Sequence, residues 1–338
     1  MSNLELDTLP FISVIIPTRN EEEFVGKLMD SLVKQTYPMD KFEILLFDGI
    51  SEDSTLKNVK EYNKKLNLKI FKNPKIKQVY AWNMGIKKAE GDYFIIFGAH
   101  SYLDPYFIEN SIKTYIKVKN DETELAAVGG SLETVYKNLF AQLIKLLYSS
   151  PFAGVSSFWS KEEEGFKKTV VFALYNKKIV FNVGMFDEDF IIGDDYELNL
   201  RLNKNGYKLY SNPNIKAYYF TRSSLTGFLK QSFQYGAVKG LCIRTGYNHL
   251  IWWIPLIFLL FEIILILTGI NLFSNLLFTV MFILLIIYFL FSIIFSIIVY
   301  IKNKDPLTFT LIIMQFIFHN VVALGFLKGL IWGRRTFH

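Results

Sequence analysis

Three carboxylates within four residues could perform acid–base chemistry. Asp194, Asp195 and Glu197 lie in the run Gly-Asp-Asp-Tyr-Glu that begins at Gly193. A carboxylate can take a proton from a reacting hydroxyl, and like-charged neighbours raise its pKa towards the working pH. If a helix starts here, Asp194 and Glu197 share one face while Asp195 points away from Glu197. The alternative is a purely structural role, because the dipole of any helix favours acidic residues at its N-terminus.

Alternating strands and helices precede this cluster and predict where other polar residues meet. Short apolar runs that end at turn residues predict strands, and the segments between them predict helices. The predicted strands cover 11–17, 42–49, 68–71 and 92–98, and the predicted helices cover 20–35, 54–63 and 78–89, with Asn20 capping the first helix. This order implies a mostly parallel α/β sheet, whose ligands bind beyond the carboxyl ends of its strands. We therefore expect Pro17–Glu21, Asp48–Ser51 and Gly98–Ser101 to lie together at one edge.

The distribution of apolar residues divides the chain. Its 338 residues carry 37 Lys+Arg and 31 Asp+Glu, a net charge of +6, and 51% of them are hydrophobic. Three apolar stretches are each long enough to cross the ~30 Å hydrocarbon core of a bilayer; they cover 250–270, 276–301 and 307–327. A wholly soluble protein is therefore excluded. The sequence predicts a polar domain at 1–222, an amphipathic interfacial segment at 223–249 and a multi-pass membrane region at 250–338.

Charges beside the apolar stretches bear on how they cross the membrane. The first ten residues have no secretory signal, which favours a cytoplasmic polar domain. Three spans put the uncharged turn at 271–275 outside and Lys302 and Lys304 inside, as the positive-inside tendency expects. They also put three later bases outside, against that tendency; these are Lys328, Arg334 and Arg335. A third stretch that re-enters, or lies in the interface, removes the conflict, and both arrangements remain open.

Two ionisable residues, Glu262 and His319, lie inside the apolar stretches. Such groups often line a path for a polar substrate. A hydrogen bond between helices, or a side chain that reaches back to the membrane surface, is at least as good an interpretation of both. The sequence leaves these alternatives open.

Several classes of protein are disfavoured by features that the sequence lacks. The single cysteine, Cys242, excludes an intramolecular disulfide and a cysteine-based zinc cluster. No G-x-G-x-x-G follows the first predicted strand and no G-x-x-x-x-G-K-[ST] occurs, which disfavours a dinucleotide dehydrogenase and a P-loop NTPase. The modest net charge, without a run of Lys and Arg, argues against nucleic acid as a partner.

The order of the motifs resembles the family 2 glycosyltransferases, which have a GT-A nucleotide-sugar-binding domain. The matching segments are SVIIPTRNEE (13–22), QTYP (35–38), EILLFDGISEDST (43–55), AWNMGIKKAEGDYFIIF (81–97) and GMFDEDFIIGDDYELNLRLNKNGYKLY (184–210). Within the family, the membrane-bound succinoglycan-biosynthesis type looks most similar, on FGAHSYLDPYF (97–107), YFTRSSL (219–225), KQSFQYG (230–236) and the apolar tail. Each motif is weak by itself, and their shared order carries the resemblance.

The resemblance implies a set of donor-binding residues. Asp48 would contact the base and ribose of the nucleotide, and Asp53 would brace its loop or cap the following helix. The residues implied to bind the nucleotide sugar are Pro17, Arg19, Asn20, Glu21, Asp48, Ser51 and Asn83. Arg222 is implied to touch the donor diphosphate, while Gln231, Gln234 and Tyr235 occupy the place of a family Q-x-x-R-W segment.

The position of the family's metal site departs from the pattern. Members usually carry D-x-D, or in this branch D-A-H, where two side chains hold a divalent cation on the donor diphosphate. Here the triplet is Gly98-Ala99-His100, so that His100 is the only one of the two implied ligands for Mg²⁺ or Mn²⁺. Either one protein ligand suffices with diphosphate and water, or Asp104 helps, or activity is weakened or lost.

The resemblance also implies an activity. Asp195 would be the general base of an inverting transfer, supported by Asp194 and Glu197. The enzyme would move a sugar from a nucleotide-diphosphate donor to a lipid-linked or polysaccharide acceptor, at the cytoplasmic face of the cell membrane, in cell-surface glycan or exopolysaccharide biosynthesis. Two alternatives stay open: a polyprenyl-phosphate sugar synthase, and a non-catalytic GT-A-like scaffold subunit. A small transporter is disfavoured by the number of apolar stretches.

Overall fold

Two compact units make up the computed structural model, which describes residues 9–154, 163–190, 192–247, 249–269 and 275–332. The sheet unit comprises the chain up to Val135 together with Ser157–Phe220, and the helical unit comprises Tyr136–Ser156 and Thr221 onwards. The sequence predicted boundaries after residues 222 and 249, and assigned the whole of Tyr136–Ser156 to the polar domain. The structure places that segment with the helical unit instead, because its apolar helix packs there.

The elements are numbered in chain order. The strands are β1 Ile12–Thr18, β2 Phe42–Asp48, β3 Leu68–Lys72, β4 Tyr93–Ile96, β5 Ser101–Leu103, β6 Leu125–Val135, β7 Gly165–Lys167, β8 Leu174–Asn176 and β9 Lys208–Phe220. The α-helices are α1 Val25–Val33, α2 Thr55–Lys60, α3 Gln78–Lys88, α4 Phe107–Lys119, α5 Leu139–Ser149, α6 Lys177–Asn182, α7 Asp194–Lys204, α8 Leu225–Arg244, α9 Ile254–Gly269, α10 Asn275–Asn303 and α11 Leu311–Trp332.

One sheet organises the sheet unit. Its strand order is β3-β2-β1-β4-β8-β6-β9-β5, with β7 also paired to β9. The strands β3, β2, β1 and β4 are parallel, as predicted, whereas β8 runs antiparallel to both β4 and β6. Strands in this arrangement place the carboxyl ends of β1, β2 and β4 at one edge, where the loops that follow them can meet.

Both faces of the sheet are buried. Alternate residues of a strand point to opposite faces, and in β1 Val14 and Ile16 pack into the cluster that includes α1 and α4, while Ile15 packs into the cluster that includes α3 and α7. Every residue of β2 is buried, and the continuous apolar run at 44–47 within it follows from this double coverage. The sheet is thus a rigid support for the loops at its edge.

The first helix begins later than predicted. Helix α1 starts at Val25, with Phe24 at its N-cap position, and residues 22–24 form a turn. Asn20 does not cap this helix: its φ of 53° is left-handed, and its Oδ1 accepts a hydrogen bond from the Glu52 N–H at 2.9 Å. The predicted cap was wrong because the Asn20 side chain holds a neighbouring loop instead.

Helices α8 and α11 of the helical unit approach each other closely through glycines. Gly236 and Gly240 lie on α8, and Gly325 and Gly329 lie on α11 at the same four-residue spacing. A methyl group at any of these positions would overlap backbone atoms of the facing helix. Small residues at this spacing allow two helix backbones to touch, as they do in membrane helix pairs.

Three helices are long and apolar enough to cross a membrane. They cover Leu250–Leu267, Leu276–Asn303 and Pro306–Ile331, close to the predicted stretches. The third is the most buried inside the helical unit, where it packs on α8 and α9. The predicted outside turn at 271–275 (apart from the backbone of Asn275 in α10), and the bases Arg334 and Arg335, lie outside the described residues, so the two topologies remain open.

Glu262 and His319 take part in hydrogen bonds between helices. The Asn320 amide of α11 donates to Glu262 Oε1 of α9 at 3.2 Å. His319 Nε2 lies 2.8 Å from the Phe152 carbonyl, which can only accept, so Nε2 donates and Nδ1 accepts from the Tyr288 hydroxyl at 2.9 Å. Of the roles considered for Glu262 and His319, the structure contains the hydrogen bonds between helices.

Substitution of Gly240 by Ala should separate α8 from α11. The added methyl overlaps the Phe326 carbonyl oxygen, and neither backbone can yield without moving its helix. We expect a loss of about 1–3 kcal/mol of stability, the range for overpacked interiors, visible as a lower thermal midpoint of the full-length protein in detergent. Gly26→Ala is the control, since its methyl meets nothing within 4 Å. Equal midpoints for both variants would contradict the close packing.

Candidate active site

The loops after β1 and β2 are joined by hydrogen bonds at the carboxyl edge of the sheet. The Asn20 N–H donates to Ser51 Oγ at 3.1 Å, and the Gly49 N–H donates to the Thr18 carbonyl at 2.8 Å. The loop after β4 joins them, because His100 Nδ1 lies 3.2 Å from Glu21 Oε1. The three segments predicted to meet at one edge therefore do meet.

Asp48 stabilises the turn that follows β2. Its carboxylate accepts from the N–H groups of Ile50 at 3.1 Å and Ser51 at 3.2 Å. Gly49 has no room for a larger side chain, since a Cβ there would lie 3.0 Å from the Ile76 carbonyl oxygen. A carboxylate with two bonds of this kind keeps further lone pairs for a ligand, so Asp48 can hold its turn and still accept from a nucleotide.

Asp53 braces the same loops, as the sequence suggested. Its carboxylate accepts from the Glu22 N–H at 3.1 Å and from the Thr55 N–H at 3.0 Å. Arg19 and Asn20 are exposed beside it, and Pro17 is partly buried at the end of β1. The sequence did not anticipate two buried oxygens at this edge, Thr18 Oγ1 and Asn73 Oδ1, which lack a hydrogen-bond partner among the described residues.

Asn83 contacts the loop ahead of α7. It is buried in α3, where its Oδ1 accepts from the Phe186 N–H at 3.0 Å and its amide donates to the Phe186 carbonyl at 2.9 Å. A further bond reaches Glu188 Oε1 at 3.2 Å. These partners let Asn83 fix the loop ahead of α7 and leave one lone pair of its Oδ1 unused among the described residues, so the implied contact with a nucleotide sugar stays a prediction.

Asp194 is buried at the start of α7 and anchors that helix to α3. Its carboxylate accepts from Trp82 Nε1 at 2.9 Å and from Gln78 Nε2 at 3.0 Å. Its pKa is raised, chiefly by burial and then by the charge of Asp195, and the bonds from Gln78 and Trp82 oppose that rise. Asp194 is thus a fixed group inside the protein rather than one that a substrate can touch.

Glu197 is paired with Arg201 one turn further along α7. The guanidinium donates to its two carboxylate oxygens at 2.8 and 2.7 Å and also to the Met185 carbonyl at 2.6 Å. The predicted repulsion between Glu197 and Asp195 is therefore compensated by Arg201. This i, i+4 pair could have been found in the sequence, whereas the long-range partners Gln78 and Trp82 of Asp194 had no local signal.

Asp195 remains as the accessible carboxylate of the cluster. It is partly exposed, and among the described residues its carboxylate accepts only from backbone N–H groups of its own helix turn, including Tyr196 at 2.8 Å. Burial raises its pKa, in the predicted direction, and the predicted repulsion between like charges acts between Asp195 and Asp194. The arrangement can present one carboxylate of increased proton affinity to a bound molecule.

The residues around His100 do not form a metal site of their own. In the parts of the chain that the structure describes, no group of three His, Cys, Asp or Glu side chains could hold an ion. His100 Nδ1 faces Glu21, an arrangement typical of an imidazole whose other nitrogen binds a ligand. Asp104 uses its Oδ1 on the Tyr106 N–H at 3.0 Å, at the start of its own helix. Among the described residues, the chain thus places His100 and the Glu21 carboxylate together, without a third side chain of this kind.

The four remaining predicted residues belong to the helical unit. Arg222 is exposed ahead of α8, and Gln234 is partly buried on that helix. Gln231 Oε1 accepts from the Tyr148 hydroxyl at 3.1 Å, and the Tyr235 ring packs edge-on to Tyr148 with centroids 5.9 Å apart. The structure thus groups Gln231 and Tyr235 around a tyrosine of α5.

Comparison with known proteins places the chain in context. The model of Glycosyl transferase family 2 matches residues 13–146, and that of Glycosyl transferase family group 2 matches residues 130–322. A Methanococcus voltae protein, named dolichyl N-acetyl-alpha-D-glucosaminyl phosphate 3-beta-D-2,3-diacetamido-2,3-dideoxy-beta-D-glucuronosyltransferase, is 46% identical over 97% of this chain and 99% of its own length. The succinoglycan biosynthesis protein ExoA of Rhizobium meliloti is 27% identical over 70% of this chain and 71% of its own.

A solved structure supports the fold. The mannosyltransferase PcManGT of Pyrobaculum calidifontis, in complex with GDP-Man and Mn²⁺, superposes with a TM-score of 0.57 at 15% identity, over 97% of this chain and 89% of its own. The expected GT-A α/β fold followed by apolar helices is confirmed. The resemblance to the succinoglycan-type branch in particular is not distinguished, since the Methanococcus protein is more similar.

The raised pKa of Asp194 predicts a pH dependence of stability. A carboxyl whose folded pKa lies above its unfolded value, near 4, stabilises the fold at low pH and loses that contribution as the pH rises through the folded pKa. Asp194→Asn should therefore have a thermal midpoint that improves relative to the unchanged protein as the pH rises from about 5 to 8. A difference between the two midpoints that stays constant with pH would show that Asp194 is not such a group.

Proposed function

Because the chain belongs to the family 2 glycosyltransferases, we propose that it transfers a sugar, with inversion, from a nucleotide-diphosphate donor to a lipid-linked saccharide at a membrane surface. The likeness to the Methanococcus protein extends over almost the whole of both chains, and the printed name of that relative specifies a dolichyl-phosphate-linked acceptor. Three apolar helices at the end of this chain would hold the active site near such a lipid. The identities of the sugar and base are not part of the proposal.

Asp195 carries the chemical step. Of the three acids, Asp194 is held by Gln78 and Trp82, and Glu197 is neutralised by Arg201. Asp195 is the one whose carboxylate is partly exposed and has a raised pKa, which increases its affinity for a proton. It would take the proton of the acceptor hydroxyl as that oxygen attacks the anomeric carbon, on the side opposite the leaving nucleotide. This single observation supports the proposal most strongly.

The donor would bind at the edge formed by the loops after β1 and β2. Asp48 retains lone pairs for the base or ribose, and the unpaired buried oxygens Thr18 Oγ1 and Asn73 Oδ1 lie at the ends of neighbouring strands. Arg19 is exposed at the same edge and can offset the negative charge of a diphosphate. These polar groups on a rigid sheet favour a nucleotide over an apolar ligand.

Enzymes of this fold commonly use a divalent cation, and His100 is the residue that could contact one. The imidazole would need oxygens of the diphosphate and of water to complete the coordination, because the described residues place no group of three His, Cys, Asp or Glu side chains there. We therefore propose that Mg²⁺ or Mn²⁺ would bind only together with the donor diphosphate. The assignment of Asp195 as the base does not depend on it.

A multi-pass membrane protein with a cytoplasmic sheet unit is the arrangement that we propose. It rests on the three apolar helices and on the bases Lys302 and Lys304, which precede α11. A polysaccharide acceptor and a polyprenyl phosphate that itself receives the sugar are the alternatives for the acceptor. Transfer to a polyprenyl phosphate would leave a single sugar on the lipid, transfer to a lipid-linked saccharide would leave at least two, and transfer to a polysaccharide would lengthen that chain.

Asp195→Asn should abolish transfer while leaving donor binding intact. Loss of a positioned base lowers rates by about 10²–10⁴-fold, and the amide keeps the shape of the side chain. We would measure transfer from radiolabelled nucleotide sugars by the full-length protein in membranes, with nucleotide affinity determined in parallel. Asp92→Asn is the matched control, because Asp92 is exposed at the amino end of β4. Undiminished transfer by Asp195→Asn would remove this residue from the mechanism.

A scaffold without activity is the second candidate, and Gly98 is the observation that favours it. A side chain at position 98 has room, since its Cβ would lie 3.5 Å from His100 Cε1 and the backbone there is not left-handed. Gly98→Asp would place a carboxylate beside the imidazole. An active enzyme should then reach half-maximal transfer at a lower Mg²⁺ concentration, whereas a scaffold would show no transfer before or after the change.

A further inference from the structure

The helical unit has a strong excess of positive charge. Its sequence, Tyr136–Ser156 and Thr221 onwards, contains eleven Lys and Arg but only two acids, Glu262 and Asp305. The rest of the chain holds 26 bases and 29 acids. The basic character of the whole protein therefore originates in the unit that also contains the apolar helices.

Both acids of the helical unit already have partners. Glu262 Oε1 accepts from the Asn320 amide at 3.2 Å. Asp305 accepts from the Gln142 amide at 2.5 Å and from the Leu307 N–H at 3.0 Å, where it caps the turn before α11. Neither carboxylate forms an ion pair with a base of this unit in the described residues.

Most described Lys and Arg residues of the helical unit contact an aromatic ring or a backbone carbonyl, or are exposed to solvent. Lys145, Lys304 and Lys328 lie over aromatic rings, at 5.1, 6.0 and 5.6 Å from the ring centroids. Arg244 donates to the Ile331 carbonyl at 2.7 Å, and Lys230 is exposed. These contacts, together with water, stabilise the charges of these lysines and of Arg244 at a small cost in free energy.

Lys239 is the exception in α8. It lies on the helix face that also presents Phe228, Ser232, Tyr235 and Cys242, which recur at alternate spacings of four and three residues. Phe228, Ser232 and Cys242 are fully buried, and Tyr235 packs on Tyr148. Such spacing is typical of the inward face of a helix. We call this face of α8, with Phe228, Ser232, Tyr235 and Cys242, the buried seam, and Lys239 is the lysine that lies on it.

Among the described residues, the ammonium group of Lys239 has no bonding partner. It makes no hydrogen bond, ion pair or ring contact with any residue that the structure describes, although it is only partly exposed. Burial lowers the pKa of this amine. A partly desolvated cation without a partner is unfavourable, and an apolar residue would fill the same seam at lower free energy. A ligand of opposite charge would explain its presence.

We propose that Lys239 binds the phosphate group of a polyprenyl lipid, the lipid-linked acceptor of the transfer. This inference rests on the proposed function, because it names a binding residue for that acceptor. A lysine is a suitable point charge for a phosphate. The isoprenoid chain would lie against the apolar helices that follow α8, whose outward residues include Ile257, Leu260 and Ile264 of α9.

The test compares Lys239→Met with Lys230→Met in the full-length protein in detergent. Methionine keeps a flexible chain of similar length and removes the charge, and Lys230 is an exposed base of the same helix. We would measure binding of a long-chain polyprenyl phosphate by titration calorimetry, without any nucleotide sugar. We expect affinity to fall at least about tenfold in Lys239→Met, as for loss of one charged hydrogen bond, and to remain unchanged in Lys230→Met.

Further arms identify the source of the phosphate. The corresponding polyprenol, which lacks phosphate, should bind weakly to all variants, and inorganic phosphate alone should not distinguish them. Phosphatidylglycerol should bind equally to both methionine variants. If inorganic phosphate or phosphatidylglycerol shows the Lys239 dependence instead, the assignment to a polyprenyl phosphate is overturned.

Thermal midpoints separate binding from a structural role. Lys239→Met should be as stable as the unchanged protein or more so, because an unpaired charge leaves the seam. Lys239→Arg should restore polyprenyl-phosphate binding, at least in part. A lower midpoint with unchanged affinity would show Lys239 to be structural and would overturn the proposal. Since no donor is present, failure of the transfer reaction would appear separately, as binding without turnover.

Discussion

The bond between Trp82 and Asp194 is the interaction on which the active-site arrangement depends. It joins α3 to the first residue of α7 at 2.9 Å, and Gln78 adds a second donor at 3.0 Å. A buried carboxylate is stable only when donors of this kind surround it. By fixing Asp194 inside the sheet unit, the two donors fix the start of α7, and with it the direction in which the adjacent Asp195 can point.

The elements around this bond support the same geometry. Asn83 follows Trp82 in the chain. Its side-chain amide forms hydrogen bonds with both the backbone N–H and the backbone carbonyl of Phe186. Arg201 reaches from α7 to the carbonyl of Met185 in the same loop. The loop before α7 is therefore held from α3 and from α7 itself. A general base, the role that we propose for Asp195, must be positioned to within a fraction of an ångström to be effective, and these contacts supply rigidity next to that residue.

The sequence allowed the elements of the sheet to be predicted because their signals are local. Apolar runs that end at Pro17 and Asp48 placed the strands, and the parallel order placed the loops that follow them at one edge. It failed where the determinant was distant. Asparagine is a common residue at helix N-caps, but the side chain of Asn20 accepts a hydrogen bond from the Glu52 N–H instead. The contact of Asn83 with Phe186, more than one hundred residues away, likewise had no local signal.

The helical unit shows the same limit. Apolar length alone identified the three long helices, whereas the position of Tyr136–Ser156 depends on partners such as Gln315, whose amide donates to Ser150 at 3.0 Å. Local periodicity cannot reveal such a contact. The buried seam of α8 could be read from spacing, but the lack of a partner for Lys239 required the structure.

The most direct test of the account is the fate of the sugar. Membranes that contain the full-length protein would be incubated with a panel of radiolabelled nucleotide sugars, and label would be counted in the lipid-extractable fraction. The account predicts label from one donor, in a product in which the new glycosidic bond has the anomeric configuration opposite to that of the donor. Label that remains wholly in the aqueous fraction, despite adequate acceptor lipid, or a product that retains the donor configuration, would contradict it.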